Sequence, residues 1–287
     1  MANKTVLVTG SSSFTGGYVL KEIVKQGLSF VDQVDTSVDM RDYESVVRLV
    51  DEVKPNYVIH LAAVSFVGHS NINEVYETNL LGTINLLRAL ENSGLKLSKV
   101  VLASSANIYG NVYGKIDENQ DPNPVNHYGI SKFSMEMAAR QWMDKLPLVI
   151  CRPFNYTGLG QAAHFLVPKI VKHFQEHRAF IELGNLDVYR DFSDVRDIAK
   201  WYVNLLNIKE TSIHVNFCSG TFTSLGEIIN EMDELSGYTI EVRVNNSLKR
   251  KSEIKKIFGS DERLQKLIYI GERKSIKETL QWMYSSK

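Results

Sequence analysis

Through the first 155 residues, continuous apolar runs alternate with stretches whose apolar positions recur every three or four residues. The runs are TVLVTG (5–10), NYVIHLAA (56–63), KVVLASS (99–105) and LVICRPFN (148–155). Short unbroken runs rich in valine and isoleucine predict strands buried on both faces. Between them the spacing predicts helices over 14–26, closed by Gly27, over YESVVRLVDEVK, over 73–94 and from Tyr128 to about Lys145. Strands and helices in strict alternation predict a parallel sheet covered on both faces.

After Asn155 the pattern loosens. Helices are expected over HFLVPKIVKHFQEH, from near Asp194, over TSLGEIINEMDEL and over SIKETLQWMYSS, with strands in IHVNFCSG and IEVRV. The expected fold is α/β: a Rossmann-type doubly wound sheet with a smaller mixed lobe. Residues 1–160 form the first part, joined by a returning segment near 190–218, and residues 161–287 form most of the second. No internal repeat or low-complexity stretch interrupts this plan.

Charge narrows the function classes. Lys plus Arg and Asp plus Glu are 33 each, so the formal net charge is zero and nothing points to nucleic acid or a membrane surface. Cys151 and Cys218 sit in apolar runs without metal spacing and read as reduced core thiols. No apolar run reaches the roughly 20 residues of a membrane span. The chain opens directly on a strand, MANKTVLVTG, without a signal-peptide pattern. The expectation is a soluble cytoplasmic protein that binds no metal.

Candidate chemistry starts at the first strand end. Gly10-Ser-Ser-Ser13-Phe-Thr-Gly16 opens a helix, where glycines let backbone amides approach a pyrophosphate that the helix N-terminus favours. Ser13 stands where many such loops carry a middle glycine. The ends of the next strands, HLAA and LASS, fall on the same rim, where doubly wound sheets bind ligands. NADP or NAD is the expected cofactor. The choice stays open, because either Asp32 or Asp35 could hold the ribose position, while Asp39 suits the adenine edge.

Tyr128 and Lys132 stand four apart in HYGISK and so share a helix face. An ammonium beside a phenol is expected to draw its pKa down from about 10 and prepare it for proton transfer. Alone, the spacing is weak evidence, since most such pairs are a half-buried ring beside a solvated amine.

In order, TGSSSFTG, HLAAVSFV, ETNLLGT with Asn79, SSANIYG, YGISK and RPFN resemble the extended short-chain dehydrogenase/reductases that act on nucleotide sugars. The resemblance spans nearly the whole chain. It implies a catalytic set of Ser105, Tyr128 and Lys132, with Asn79 fixing the active-site helix. It also implies cofactor contacts from Gly10, Ser13, Phe14, Thr15, Gly16, Asp39, Met40, Leu61, Ala62, Ala63, Asn79, Tyr128, Lys132 and Pro153. The helices at 73–94 and 128–145 resemble that family's dimer interface; Leu87, Met135, Met137 and Ala138 suit it, though they could equally face the core, and a homodimer is expected.

LGNLDVYRDFSDVRDI and RKSEIKKIFGSDERL resemble segments of GDP-mannose 4,6-dehydratases and GDP-4-keto-6-deoxy-mannose reductases. That likeness implies substrate contacts from Ser65, Ser105, Asn107, Asn155, Lys169, Asn185, Arg190, Arg250 and Glu253, with Arg190 and Arg250 toward the diphosphate. Guanidinium forks suit phosphate oxygens. The dehydratases carry a glutamate, and GDP-fucose synthases a cysteine, where this chain has Asn107. The synthases' histidine falls on Phe165. An amide does not exchange a proton at neutral pH, and His127 and His164 read as bystanders. The implied activity is reduction of a ketone at carbon 4 of a nucleotide-linked 4-keto-6-deoxy sugar, GDP being the expected nucleotide. The alternatives are a 4-epimerase and, outside enzymes, a non-catalytic dinucleotide-binding sensor.

Overall fold

The computed structural model describes residues 4–31, 38–246 and 256–286. Among them, six parallel strands form the main sheet: β1 (Thr5–Thr9), β2 (Ser29–Val31), β3 (Tyr57–His60), β4 (Lys99–Ala103), β5 (Leu148–Pro153) and β6 (Ile213–Phe217), in spatial order β6-β5-β4-β3-β1-β2. Its order reverses at β1, leaving a crevice beyond the carboxyl ends of β1 and β3, the ligand side of such sheets. The sheet is Rossmann-type, as the apolar runs predict. The runs extend past the strands because their last residues turn into the rim loops.

Helices cover both faces. On one lie α1 (Phe14–Lys25) and α7 (Val195–Asn204), whose Val19, Ile23, Ile198 and Trp201 meet Val6, Val8 and Ile59. On the other lie α2 (Tyr43–Val53), α4 (Thr83–Asn92) and α5 (His127–Ala139), with Val46, Leu86, Leu87 and Met135 against Leu7, Val58 and Leu102. Strand residues of alternate parity thus serve opposite cores, which is why these strands carry no polar face.

The helix expected over 73–94 is three pieces: α3 (Ile72–Tyr76), a π-helical turn (Glu77–Gly82) and α4. That expected from Tyr128 to about Lys145 leaves α-geometry at Ala139 and ends in a 3-10 turn, Arg140–Trp142. A separate apolar cluster joins α6 (Leu166–Gln175), α8 (Leu225–Ser236) and α10 (Ile276–Ser285) through Phe174, Ile228 and Leu280. The short helix α9 (Glu262–Leu267) returns Leu264 to the main sheet. Of the two placements open to them, Leu87 and Met135 take the core; Met137 is 43% exposed and Ala138 half-buried.

Candidate active site

The first turn after β1 is shaped by what its glycines lack. Gly10 has φ +75°, and a Cβ there would come 2.7 Å from the Ala62 amide nitrogen; one on Gly16 would come 2.1 Å from the Gly10 carbonyl oxygen. The loop therefore lies flat on the β3 rim, where Leu61, Ala62 and Ala63 follow the strand. Ser13 is the N-cap of α1: its Oγ accepts from the Gly16 amide at 3.1 Å and donates to the Gly10 carbonyl at 2.6 Å. The serine in the middle-glycine position thus ties the turn together. Such a close-drawn loop at a helix N-terminus fits a dinucleotide pyrophosphate.

Further round the rim, the Asp39 carboxylate takes two guanidinium nitrogens of Arg41, at 2.7 to 3.0 Å, and this bond holds it below the usual carboxylate range. Met40 is buried against Gly82. Pro153 ends β5, buried beside Phe217 of β6. Asp32 and Asp35 lie outside the described residues.

Asn79 sits in the π-turn, fully buried. Its Oδ1 accepts from the Val64 amide at 2.8 Å, and its Nδ2 donates to the Val64 carbonyl at 3.1 Å and the Ser131 hydroxyl at 3.0 Å. One amide thus joins the loop after β3 to α5. A π-turn inserts a residue into the helix and redirects the side chains after it, and here it carries the asparagine that makes this bridge.

Helix α5 is capped by Asn126, whose side chain accepts from the Gly129 amide at 2.8 Å. Tyr128 stands in its first turn, and its phenol feels the side chain of Ser105, the last residue before a 3-10 turn at Ala106–Tyr109. Two contacts bring them together. Asn107 donates to Ser105 Oγ from its backbone and side-chain nitrogens, each at 3.2 Å, and the Asn107 carbonyl occupies the space a Cβ on Gly129 would need, 2.7 Å away. The structure therefore places Ser105, Asn107 and Tyr128 in one unit.

Lys132 shares the α5 face with Tyr128, but its Nζ donates to the Ala103 carbonyl at 2.8 Å. Burial pushes the ammonium down to about 8, opposed by the Glu136 carboxylate one turn on. Burial raises the Tyr128 phenol to about 12, and the Ser105 bond lowers it only in part. The expectation that Lys132 depresses the tyrosine does not hold here: the ammonium faces a backbone carbonyl, and desolvation of the phenolate outweighs the pull of Ser105. The phenol is fully protonated at neutral pH.

A polar network escapes motif reading. Arg152 of the RPFN segment bonds Glu136 of α5 at 2.7 and 3.0 Å and the Tyr109 hydroxyl at 3.0 Å; Tyr109 in turn donates to Asn216 at 2.7 Å. The signal for it is Glu136 standing at i+4 from Lys132 and i+8 from Tyr128. Tyr156 is also new: its hydroxyl shares a 2.8 Å hydrogen bond with Thr15, and its ring lies parallel to Phe14, centroids 6.3 Å apart. Asp191, next to Arg190, accepts from Ser219, Gly220 and Gly259, although burial lifts its carboxyl to about 6.

The remaining expected substrate residues are spread more widely. Ser65 is exposed in the loop after β3, and Asn155 is half-buried in the short strand Asn155–Thr157. The Asn185 side chain accepts from the Asp187 amide at 3.1 Å. Arg190 lies on a short strand beside Lys256–Gly259 and donates to the Tyr189 carbonyl at 2.9 Å. Lys169 spans from α6 to the Glu182 carbonyl at 2.7 Å, lining a cleft with His164, His173 and Phe180. Arg250 and Glu253 lie outside the described residues. His127 bonds Tyr76 at 3.1 Å, and His164 lies against Phe66 and Phe165. Buried His60, held between Thr9 and Thr83 and pushed down to about 3 by desolvation, stays neutral. Among the described residues no cluster of metal-ligating side chains occurs, and no helix is long and apolar enough to cross a membrane.

These features define an enzyme-like dinucleotide fold with a serine, tyrosine and lysine at the rim. The chain belongs to the GDP-mannose 4,6 dehydratase family, whose family model matches residues 32–287. It is 33% identical to a GDP-6-deoxy-D-talose 4-dehydrogenase from Aggregatibacter actinomycetemcomitans, over 98% of this chain and 97% of that one. It is 29% identical to a GDP-6-deoxy-D-mannose reductase from Pseudomonas aeruginosa, over 98% and 96%. Among solved structures, a putative epimerase from Burkholderia cenocepacia matches with TM-score 0.90 and 38% identity, over 98% of this chain and 97% of that one. RMD from Pseudomonas aeruginosa complexed with NADPH matches with TM-score 0.89 and 28% identity, over 99% and 97%.

Proposed function

We propose that the chain reduces the carbon-4 ketone of a GDP-linked 4-keto-6-deoxy hexose, with NADPH or NADH as the reductant. The observation that carries this reading is the juxtaposition of the Ser105 and Tyr128 hydroxyls, with the Asn107 amide donating to Ser105. Two hydroxyls can stabilise and protonate one developing alkoxide. Losing water across carbons 5 and 6, or inverting carbons 3 and 5, needs an additional group to take a proton from carbon, and an amide does not supply it.

The loop from Gly10 to Gly16 would hold the cofactor pyrophosphate, Asp39 the adenine end, and Lys132 the nicotinamide ribose. When bound, the reduced nicotinamide supplies hydride to carbon 4. Ser105 then donates to the ketone oxygen, and Tyr128 gives it the proton that completes the alcohol. A phenol with a pKa near 12 releases that proton only to a stronger base, such as an alkoxide, and so holds it until charge develops. Arg190, with Arg250 and Glu253, would engage the nucleotide diphosphate and ribose, and Ser65, Asn155, Lys169 and Asn185 the rest of the substrate. The two named relatives, acting on GDP-6-deoxy sugars, support the nucleotide and the sugar class.

A 4-epimerase is the second reading, favoured by the likeness to the Burkholderia cenocepacia protein. The purified chain, mixed with a GDP-4-keto-6-deoxy hexose, should consume reduced nicotinamide stoichiometrically with alcohol formed. Interconversion of 4-hydroxy nucleotide sugars without net consumption would give the case to the epimerase. The assembly we propose is a homodimer through α3, the π-turn and α5, supported by exposed Ile72, Leu81, Ile130 and Met137 on these elements; light scattering tests it.

A further inference from the structure

A hydroxyl has one proton and two lone pairs. At Ser105 both lone pairs face donors from one residue: the Asn107 backbone N–H and its Nδ2, each 3.2 Å from Oγ. The Ser105 side chain is buried, so solvent does not compete for it. With both acceptor sites filled, its proton can only be given away, and the group it acts on is Tyr128, the residue before the Gly129 that the Asn107 carbonyl abuts. The turn is held at both ends. Ser105 is the cap residue of the 3-10 turn, and the Asn107 carbonyl is pressed against Gly129 in the first turn of α5.

We propose that Asn107 is a positioning residue that makes Ser105 an obligate donor, aimed at the oxygen held by Tyr128. This rests on the reductase reading for its substrate, though the arrangement of protons does not depend on it. A ketone oxygen seated between Ser105 and Tyr128 would then meet two donors and no acceptor. Were the residue at 107 a carboxylate, the Ser105 proton would turn to it, and the ketone oxygen would meet a lone pair instead.

The test is a double-mutant cycle of N107A and S105A, together with N107D. With the 4-keto sugar as substrate, N107A should lower kcat about ten-fold, about the worth of the one hydrogen bond it removes, with KM within about two-fold. In the S105A background the same change should cost nothing further. N107D should be slower than N107A at neutral pH and recover as pH falls through its carboxyl titration, a limb absent from wild type. Equal cost of N107A with and without Ser105, or an N107D enzyme as fast as wild type, would overturn the proposal.

If wild type shows no ketone reduction, the reductase reading fails and the cycle is read without substrate. 3-Fluorotyrosine at position 128 is then titrated by fluorine NMR. N107A should move its pKa when Ser105 is present and leave it unmoved in S105A, while an equal shift in both backgrounds sinks the idea.

Discussion

Arg152 closes two guanidinium nitrogens on the Glu136 carboxylate, at 2.7 and 3.0 Å, one helical turn beyond Lys132. Both side chains are buried, and Tyr109 takes a third guanidinium hydrogen bond. The pair pins α5 to β5 at the end that carries the lysine. Removing one partner strands a charge in the core, which typically costs about 3–5 kcal/mol. Glu136→Leu or Arg152→Met should therefore lower stability by about that much in urea unfolding. The double replacement Glu136→Leu/Arg152→Met should recover part of the loss, and a double variant as unstable as the sum of the singles would contradict a paired-charge origin.

The Lys132 ammonium, lowered to about 8 by burial, gives stability a defined pH dependence. An unfolded lysine titrates near 10.4. Between these values the unfolded chain binds more protons than the folded one, so stability rises with pH across that window. Below pH 8 both states are charged and the full desolvation cost is felt. The gap corresponds to about 3 kcal/mol. Lys132→Met should remove this slope, so the difference between wild type and variant in cofactor-free protein should shift in favour of wild type from about pH 8 to about pH 10.4. Parallel curves would show that the lysine is solvated.

The strands were legible because both sheet faces are covered, leaving unbroken apolar runs such as VLV and YVI. The Tyr128/Lys132 spacing was legible because it is local to α5. Where the Lys132 ammonium points was not, since its partner Ala103 is a backbone carbonyl 29 residues away. Leu87 and Met135 show the same limit from another side. A helix that is apolar on more than one stripe does not say which stripe the fold covers. The π-turn at Glu77–Gly82 left no periodicity signal, because one inserted residue only shifts the apolar phase.

The glycines of the first turn separate a steric requirement from general flexibility. Gly16→Ala places a methyl 2.1 Å from the Gly10 carbonyl, whereas a methyl on Gly17 meets nothing within 4 Å. Gly16→Ala should open the turn and weaken NADPH or NADH binding by more than about ten-fold, a change of at least about 1.4 kcal/mol. Gly17→Ala should leave binding intact and stabilise α1 by about 0.5–1 kcal/mol. Cofactor titration by fluorescence and thermal melts of both variants measure the contrast. Equal binding by the two would mean that the pyrophosphate lies elsewhere.

Tyr128→Phe tests the proton donor with the smallest structural change. The ring can keep its place, while Ser105 loses the hydroxyl it faces but keeps both Asn107 contacts. Removing a positioned proton donor typically costs about 100- to 10,000-fold in rate. The variant should lose kcat on that scale while binding NADPH or NADH within about two-fold of wild type, since the effect falls on the transition state alone. Its rate should also lose any alkaline limb that wild type shows toward pH 12, because the group titrating there is gone. Stopped-flow reduction of the 4-keto sugar by pre-bound cofactor isolates the step, and a variant with wild-type single-turnover rates would take the proton-donor role away from this tyrosine.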